Sequence, residues 1–208
     1  PQSRLLLAKI LEKEGDFQGV FNNLRIAVDA DPDLIEARIK LGALYTAAGM
    51  LPEAQVEIDA VLQQEPDNVD AQVLAARLLA QNGNENEAEA VLRGVLEINP
   101  AKTDALILLV GITVNKDPDA ALVLIEQGLL VADDPRNLRV LRVEILQRLD
   151  RAAEVESEFQ ALINAYPDEN AFRFGLAQYL LNQGRVDDVE QLLRDIVDVD
   201  PESVAARL

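Results

Sequence analysis

Hydrophobic residues recur at spacings of three and four along most of this chain, and residues 35–68 show the pattern most clearly. Leu41 and Tyr45 lie on one face of a first predicted helix, because residues four apart share a helix face. Gly49 then interrupts the pattern, and Ile58 belongs to a second amphipathic helix. The stretch therefore predicts two helices joined by a tight turn.

The same unit recurs, and a proline near its end marks the period. These prolines, spaced 32 to 35 residues apart, are Pro32, Pro66, Pro100, Pro135, Pro167 and Pro201. Proline cannot continue a helix, and a neighbouring acidic or amide residue can cap the helix that follows. We expect Asp29, Asp31 and Asp33 to act as such caps. They do not predict a calcium site, because the segment lacks the glycine and the final glutamate of a calcium-binding loop.

Each unit also has a turn residue at its middle. Gly15, Gly49, Gly83 and Gly184 stand where a helix end favours a left-handed residue, and Asp117 and Asp150 take the equivalent places in the fourth and fifth units. The fourth unit differs further, since Gly111 and Gly128 fall inside its predicted helices, at a cost of roughly 1 kcal/mol each. A hinge and ordinary drift of one repeat both account for this difference.

A period of about 34 residues, built from helix, turn, helix and a terminal proline, resembles the tetratricopeptide repeat. Residues 35–68 carry the small-and-large pattern of that family at Leu41, Gly42, Tyr45, Ala54 and Pro66, and the next unit carries it at Ala75, Ala76, Leu79, Ala88 and Pro100. The resemblance covers essentially the whole chain. It implies an all-α fold, a right-handed superhelical solenoid of about six helix-turn-helix repeats plus the start of a seventh.

We expect one array over residues 1–208. Its predicted repeats are approximately residues 1–34, 35–68, 69–102, 103–135, 136–169 and 170–203, and residues 204–208 begin a further repeat.

Arginines replace apolar residues at two kinds of position. A tryptophan common early in the first helix of the family is absent, and Arg4, Arg38, Gln72 and Arg173 stand there. We expect one contact to be weaker at that place without loss of the fold. In the fifth repeat, Arg139 and Arg142 stand where apolar residues are expected, which leaves the register of its first helix open by one position.

Composition limits the chemistry that this chain can perform. It has 37 acidic and 19 basic residues, a formal net charge of −18, so we expect it to repel nucleic acid. It has no cysteine and no histidine, and we predict no catalytic residues, no cofactor and no metal. The longest apolar run, residues 106–110, is too short for membrane insertion of this segment. Cytoplasm and periplasm are both compatible with this composition.

The resemblance implies a ligand site in the concave groove that the first helices line. One groove-facing position holds Leu5, Ile39, Val73, Ile107, Val140 and Phe174, and the position beside it holds Lys9, Ala43, Arg77, Gly111, Glu144 and Gln178. Six apolar residues favour a channel for an extended or helical peptide. The alternative is that these side chains only pack against neighbouring first helices. The lysine, asparagine and arginine clamp with which some members hold a peptide carboxylate is not visible.

A basic cluster interrupts the acidic surface. Five of the 19 basic residues lie within sixteen positions: Arg136, Arg139, Arg142, Arg148 and Arg151. Guanidinium groups pair well with carboxylates, so the cluster is a candidate site for an acidic peptide. The alternative is local ion pairing with Asp133, Asp134, Glu144 and Glu154.

The leading functional hypothesis is a non-catalytic scaffold that binds a protein or peptide and belongs to a larger protein. A second makes the array an appendage of an enzyme or of a bacterial envelope, secretion or polysaccharide assembly. A third is self-association through uncapped ends, because the last complete helix offers many apolar residues: Val189, Leu192, Leu193, Ile196, Val197 and Val199.

Overall fold

The computed structural model describes the backbone of residues 1–199 and the side chains of residues 1–194. This part of the chain consists of twelve α-helices and contains no strand. They are α1 (Gln2–Glu14), α2 (Phe17–Ala30), α3 (Ile35–Ala47), α4 (Leu51–Gln64), α5 (Val69–Gln81), α6 (Glu85–Ile98), α7 (Thr103–Thr113), α8 (Pro118–Leu129), α9 (Arg136–Arg148), α10 (Ala152–Ala165), α11 (Asn170–Asn182) and α12 (Val186–Val199). The predicted all-α fold of helix-turn-helix repeats is confirmed. The predicted seventh repeat lies outside the described residues.

The helices group into two compact units, Pro1–Lys116 and Asp117–Leu208. The boundary falls in the middle turn of the fourth repeat, the repeat that departs most from the period. Its helices α7 and α8 have 11 and 12 residues, whereas the others have 13 or 14. Gly111 and Gly128 lie inside these helices without ending them.

Within each unit, a second helix packs against the first helices on both sides of it. In the first unit, Leu24 of α2 shares one buried cluster with Leu5 of α1 and Leu41 of α3. The residue equivalent to Leu24 is buried in five successive second helices, as Leu24, Ile58, Leu92, Ile125 and Phe159. Burying a side chain of this size contributes about 1.5–3 kcal/mol, so these positions hold each repeat to its neighbour.

The middle turns have the predicted left-handed backbone. Gly15, Gly49, Gly83 and Gly184 have φ angles of 76°, 72°, 83° and 75°, and Asp150 has φ 55°. In each turn the next residue donates its amide to a carbonyl five residues earlier, as Met50 does to Tyr45. Asp117 acts differently, since its side chain caps α8 by accepting a hydrogen bond from the amide of Ala120 at 2.9 Å.

The predicted capping holds at one of the five described proline junctions and is wrong at the other four, where α3, α7, α9 and α11 begin without a side-chain cap. Asn68 immediately precedes α5, and its side chain accepts a hydrogen bond from the amide of Ala71 at 3.0 Å. At the junction after α2, the equivalent residue is Leu34, so α3 begins without a side-chain cap. Asp31 lies too early to reach that helix and instead accepts a hydrogen bond from the amide of Asp33 at 3.3 Å.

Two of the residues that stand at the place of the missing tryptophan, Arg4 and Arg38, bind a polar partner on the second helix of their own repeat. The fifth-repeat arginine at the equivalent place does the same. The pairs, each nineteen residues apart, are Arg4 with Asn23, Arg38 with Glu57 and Arg139 with Glu158, at 2.9, 2.5 and 2.7 Å. The polar contact between the two helices therefore takes the place of aromatic packing.

The same position also holds successive repeats together. Its side chain donates a hydrogen bond to the backbone oxygen of the proline six residues earlier, at the end of the preceding repeat. These bonds join Arg38 to Pro32, Gln72 to Pro66 and Arg173 to Pro167. A carbonyl near a helix junction lacks a helical partner, so each donor satisfies an acceptor that would otherwise depend on water.

Glu158 explains the arginines of the fifth repeat. Its side chain is buried, and its two carboxylate oxygens accept hydrogen bonds from Arg139 at 2.7 Å and from Arg142 at 2.6 Å. Arg142 also pairs with Glu126 of α8 at 3.2 Å. These two arginines therefore face α10, and Leu138 and other apolar residues of α9 form the core instead. The buried carboxylate fixes the register that the sequence leaves open.

Replacing Glu158 by alanine should destabilise the second unit by about 3 kcal/mol or more, because two partly buried arginines then lose their counter-charge. Urea unfolding followed by circular dichroism measures this change. The matched control is Glu89→Ala, which breaks the exposed pair of Glu89 with Arg93 at 2.8 Å and should change stability by only about 0.3–0.5 kcal/mol.

A simultaneous replacement of Glu158 by leucine and of Arg139 and Arg142 by methionine should restore most of the lost stability, since no charge then stays buried without a partner. If Glu158→Ala costs no more than Glu89→Ala, the buried network does not stabilise the unit.

Candidate functional site

In the first unit, four of the predicted groove residues line one cavity. Ile39 and Ala43 come from α3, and Val73 and Arg77 come from α5, so consecutive first helices supply its walls. The cavity has a volume of about 160 Å³. The structure therefore brings these four residues together, and their binding of a ligand stays a prediction.

Charged residues close one side of this cavity. Lys102 also lines it and pairs with Asp70 at 2.5 Å and with Asp104 at 3.9 Å. Arg77 is exposed and forms no ion pair with a described residue. Val73 is 4% exposed, so it packs the wall and offers a ligand little surface. Of the four predicted groove residues at this cavity, Ile39, Ala43 and Arg77 therefore offer surface to a ligand, and Val73 offers little.

The other predicted groove residues of the first unit do not line this cavity. Leu5 is 4% exposed and belongs to the core, which is the packing alternative that the sequence left open. Lys9 pairs with Glu36 at 2.7 Å. Ile107 is half-buried and Gly111 is exposed on α7.

In the second unit, Val140 and Glu144 of α9 and Gln178 of α11 line a larger cavity of about 430 Å³. Again, consecutive first helices bring the predicted residues together. Phe174 does not line it, whereas Phe172, two residues earlier on α11, does. Val140 is 37% exposed and Glu144 and Gln178 are exposed, so all three can contact a ligand.

Two aromatic residues that the repeat register does not predict as groove residues form the floor of this cavity. Phe159 and Tyr179 are each 8% exposed, with ring centroids 6.5 Å apart. Burial raises the pKa of the Tyr179 hydroxyl, and the nearby Glu156 carboxylate adds to the effect, so the hydroxyl stays neutral. Gln147 and Asn182 add amide groups to the lining. A signal in the sequence was available, because Gly175 breaks the apolar pattern of α11 at this point.

The basic cluster is largely engaged in ion pairs. Arg139 and Arg142 bind Glu158, as described above. Arg136 pairs with Glu169 at 3.0 Å, and Arg151 pairs with Glu154 at 2.5 Å and with Asp119 at 3.4 Å. Of the four carboxylates named by the ion-pairing alternative, only Glu154 forms a salt bridge with the cluster in the described part of the chain; the other partners lie elsewhere. Arg148 is exposed and has no ion pair with a described residue.

Arg136 belongs to a small network with an aromatic ring. Its guanidinium carbon lies 4.3 Å from the ring centroid of Tyr166, and its amide donates to Asp134 at 3.0 Å. The Tyr166 hydroxyl also donates to Asp134, at 2.7 Å. These two hydrogen bonds, the tyrosine bond first, lower the pKa of the Asp134 carboxyl. These contacts and the pair with Glu169 engage Arg136, although its Nε atom is buried without a hydrogen-bond partner, and they leave little of this side chain free for an acidic ligand.

The described part of the chain holds no group of three or more acidic side chains placed to bind a metal ion. Within the same part, none of the helices combines the length and apolar character needed to cross a membrane. The cavities are instead lined by apolar, amide and isolated charged groups, an arrangement suited to contact with another polypeptide.

Comparison with known proteins identifies the repeat. Two family models, each described as a tetratricopeptide repeat, match residues 57–109 and residues 141–204. Together these matches cover more than half of the chain. No curated protein matches the sequence.

Solved structures with the same fold cover most of the chain. A thermophilic tetratricopeptide repeat protein of Thermus thermophilus is 18% identical over 86% of this chain and 98% of its own, with a TM-score of 0.73. PilF of Pseudomonas aeruginosa is 13% identical over 99% of this chain and 94% of its own, with a TM-score of 0.69. YrrB, described as a tetratricopeptide repeat protein with an unusual peptide-binding site, is 16% identical over 88% and 95%, with a TM-score of 0.54.

At these identities the structural similarity concerns the fold. It agrees with the two sequence matches, with the period of the terminal prolines and with the left-handed middle turns. On this combined evidence, the chain belongs to the tetratricopeptide repeat family.

Proposed function

We propose that this chain is a non-catalytic scaffold that binds a peptide or protein segment on the exposed surface of its first helices. Tetratricopeptide repeats generally mediate protein–protein interactions, and the peptide-binding site of YrrB occurs on the same fold. The observation that carries the proposal is that groove positions predicted from the repeat register share a cavity in each unit.

Binding would depend mainly on shape and apolar contact. Ile39 and Ala43 would supply the contact surface in the first unit, with Arg77 as a charged neighbour. Val140 and Gln178 would do so in the second unit. The exposed residues, rather than the buried Leu5 and Val73, would determine affinity, because only surface that leaves water on binding contributes.

Val140 is the position at which the groove can be tested with least damage to the core. Peptides selected from a phage-displayed random library should lose at least about tenfold in affinity for the Val140→Asp variant, because a charge then faces the apolar contact. The matched control is Val123→Asp, since Val123 is 51% exposed on the second helix α8 of the same unit. Isothermal titration calorimetry measures both affinities, and far-ultraviolet circular dichroism checks that both variants keep their helices.

Unchanged binding by Val140→Asp, combined with loss of binding by Val123→Asp, would place the ligand on the second helices and contradict the groove. A library that yields no binder to the unaltered chain would contradict the scaffold proposal as a whole.

Self-association is a second candidate function, and the exposure of α1 favours it. Leu7 and Ile10 are 38% and 47% exposed, whereas the equivalent residues of later repeats, Leu41 and Leu78, are each 1% exposed. Leu6, on the same helix, is 60% exposed. We propose that a second copy of the chain covers this face. The residues Ile196, Val197 and Val199, which the sequence analysis assigned to a contact at the other end, have side chains outside the described part.

Sedimentation velocity over a wide concentration range tests this candidate. The unaltered chain should form a dimer or larger species at high concentration, and the double variant Leu7→Lys, Ile10→Lys should remain monomeric. The control Val56→Lys replaces a residue that is 63% exposed on α4 and should not change the association. A chain that stays monomeric throughout would exclude self-association through α1.

A further inference from the structure

The cavity that Val140 and Gln178 line in the second unit is larger than the one that Ile39 and Arg77 line in the first, about 430 against 160 Å³, and the two cavities differ at one equivalent position of their first helices. Gly175 lines the larger cavity, and Leu74, at the equivalent place of α5, lines the smaller one. The five other first helices carry Leu6, Lys40, Leu74, Leu108 and Leu141 at this position. The sixth repeat therefore lacks a large side chain where each of the others has one.

The missing side chain allows an aromatic ring to approach the backbone of α11. A Cβ atom built on Gly175 would lie 2.8 Å from the Cε1 atom of Phe159, closer than real side chains approach. Phe159 and Tyr179 thus form an apolar floor directly beneath the helix backbone. The volume of this cavity lies within the range of about 300–1,000 Å³ typical of ligand cavities, whereas the volume of the cavity at Ile39 and Arg77 does not.

The mouth of this cavity has a defined charge. Among the described residues that line it, Glu144 alone is charged, and its exposed carboxylate forms no ion pair or hydrogen bond with a described residue. The chain as a whole has a net charge of −18, which adds a long-range attraction for cations. A basic group next to the cavity would therefore find a free counter-charge, and an acidic group would be repelled.

We propose that this cavity receives one large apolar side chain, phenylalanine or leucine in size, from a peptide that carries lysine or arginine beside it to pair with Glu144. The proposal rests on the proposed peptide-binding function and adds the residue class that the second unit selects. Burial of the apolar side chain provides affinity, and the pair with Glu144 provides selectivity.

Synthetic peptides with blocked ends test this selection and exclude recognition of a terminal carboxylate. The probe is a five-residue peptide with a central phenylalanine between two lysines and glycine at each end. One comparison peptide has alanine at the centre, and another has glutamates in place of the lysines. The lysine-flanked phenylalanine peptide should bind at least about tenfold more tightly than either, by calorimetry. Amide chemical-shift changes should centre on α9 and α11.

Charge reversal at the mouth provides the sharpest readout. Glu144→Lys should invert the preference, so that the glutamate-flanked peptide binds more tightly than the lysine-flanked one. Asp187→Lys is the matched control, because Asp187 is exposed, lies outside the cavity and gives the same change in net charge. This control should keep the original preference.

Gly175→Ala tests the cavity itself, since the added methyl group must displace the Phe159 ring. It should weaken binding of the phenylalanine peptide at least about tenfold and leave the alanine peptide unaffected. Gly94→Ala is the control, because Gly94 is also helical but has open space around the position of a Cβ atom. It should not change peptide binding.

The outcomes separate this inference from the function on which it rests. The inference would be wrong if peptide affinity did not depend on the flanking charge, or if binding changed only the amide chemical shifts of the first unit. The scaffold function would still stand in either case. If no probe peptide binds at millimolar concentration while library-selected peptides do, the inference is again wrong and the function stands. If neither class binds, both are wrong.

Discussion

The two helices of a repeat can bury only the faces that they turn toward each other, so their other apolar residues need a neighbouring repeat to cover them. This constraint determines the rest of the structure. The second helix provides this cover in the first unit, where Leu24 packs with Leu5 and Leu41 of two first helices, and the residues equivalent to Leu24 are also buried. In the described structure, Leu7 and Ile10 of α1 are exposed. Ile39 and Val140, on other parts of the first helices, line the cavities at which we propose that a peptide binds.

Polar contacts within the repeats show that this packing tolerates unusual residues. At the usual tryptophan position, Arg4 and Arg38 bind a residue of the second helix, and Gln72 and Arg173 bind the carbonyl of the preceding proline. In the fifth repeat, the buried Glu158 carboxylate lies between two guanidinium groups and accepts a hydrogen bond from each. Removing one charge from such a group lowers the free energy of unfolding by more than the intact group contributes, because the remaining charges stay partly buried without a counter-charge.

The sequence predicts the helices well, since proline and the left-handed glycines mark their ends independently of tertiary packing. Some of the positions that it assigns to a groove line cavities, as Ile39, Ala43 and Val140 do, and their part in binding stays a prediction. It cannot tell Val73, which is buried, from Val140, which is exposed, because that difference depends on the neighbouring helix. The cavity at Gly175 depends on the position of the Phe159 ring, which no spacing along the chain indicates.

The account predicts that a bound peptide lies against the first helices. Site-specific photo-crosslinking tests this most directly, with a benzophenone amino acid placed at Val140 on α9 or at Val123 on α8, both exposed in the second unit. A library-selected peptide should be captured at position 140 and not at position 123. Capture at position 123 with none at position 140 would contradict the account.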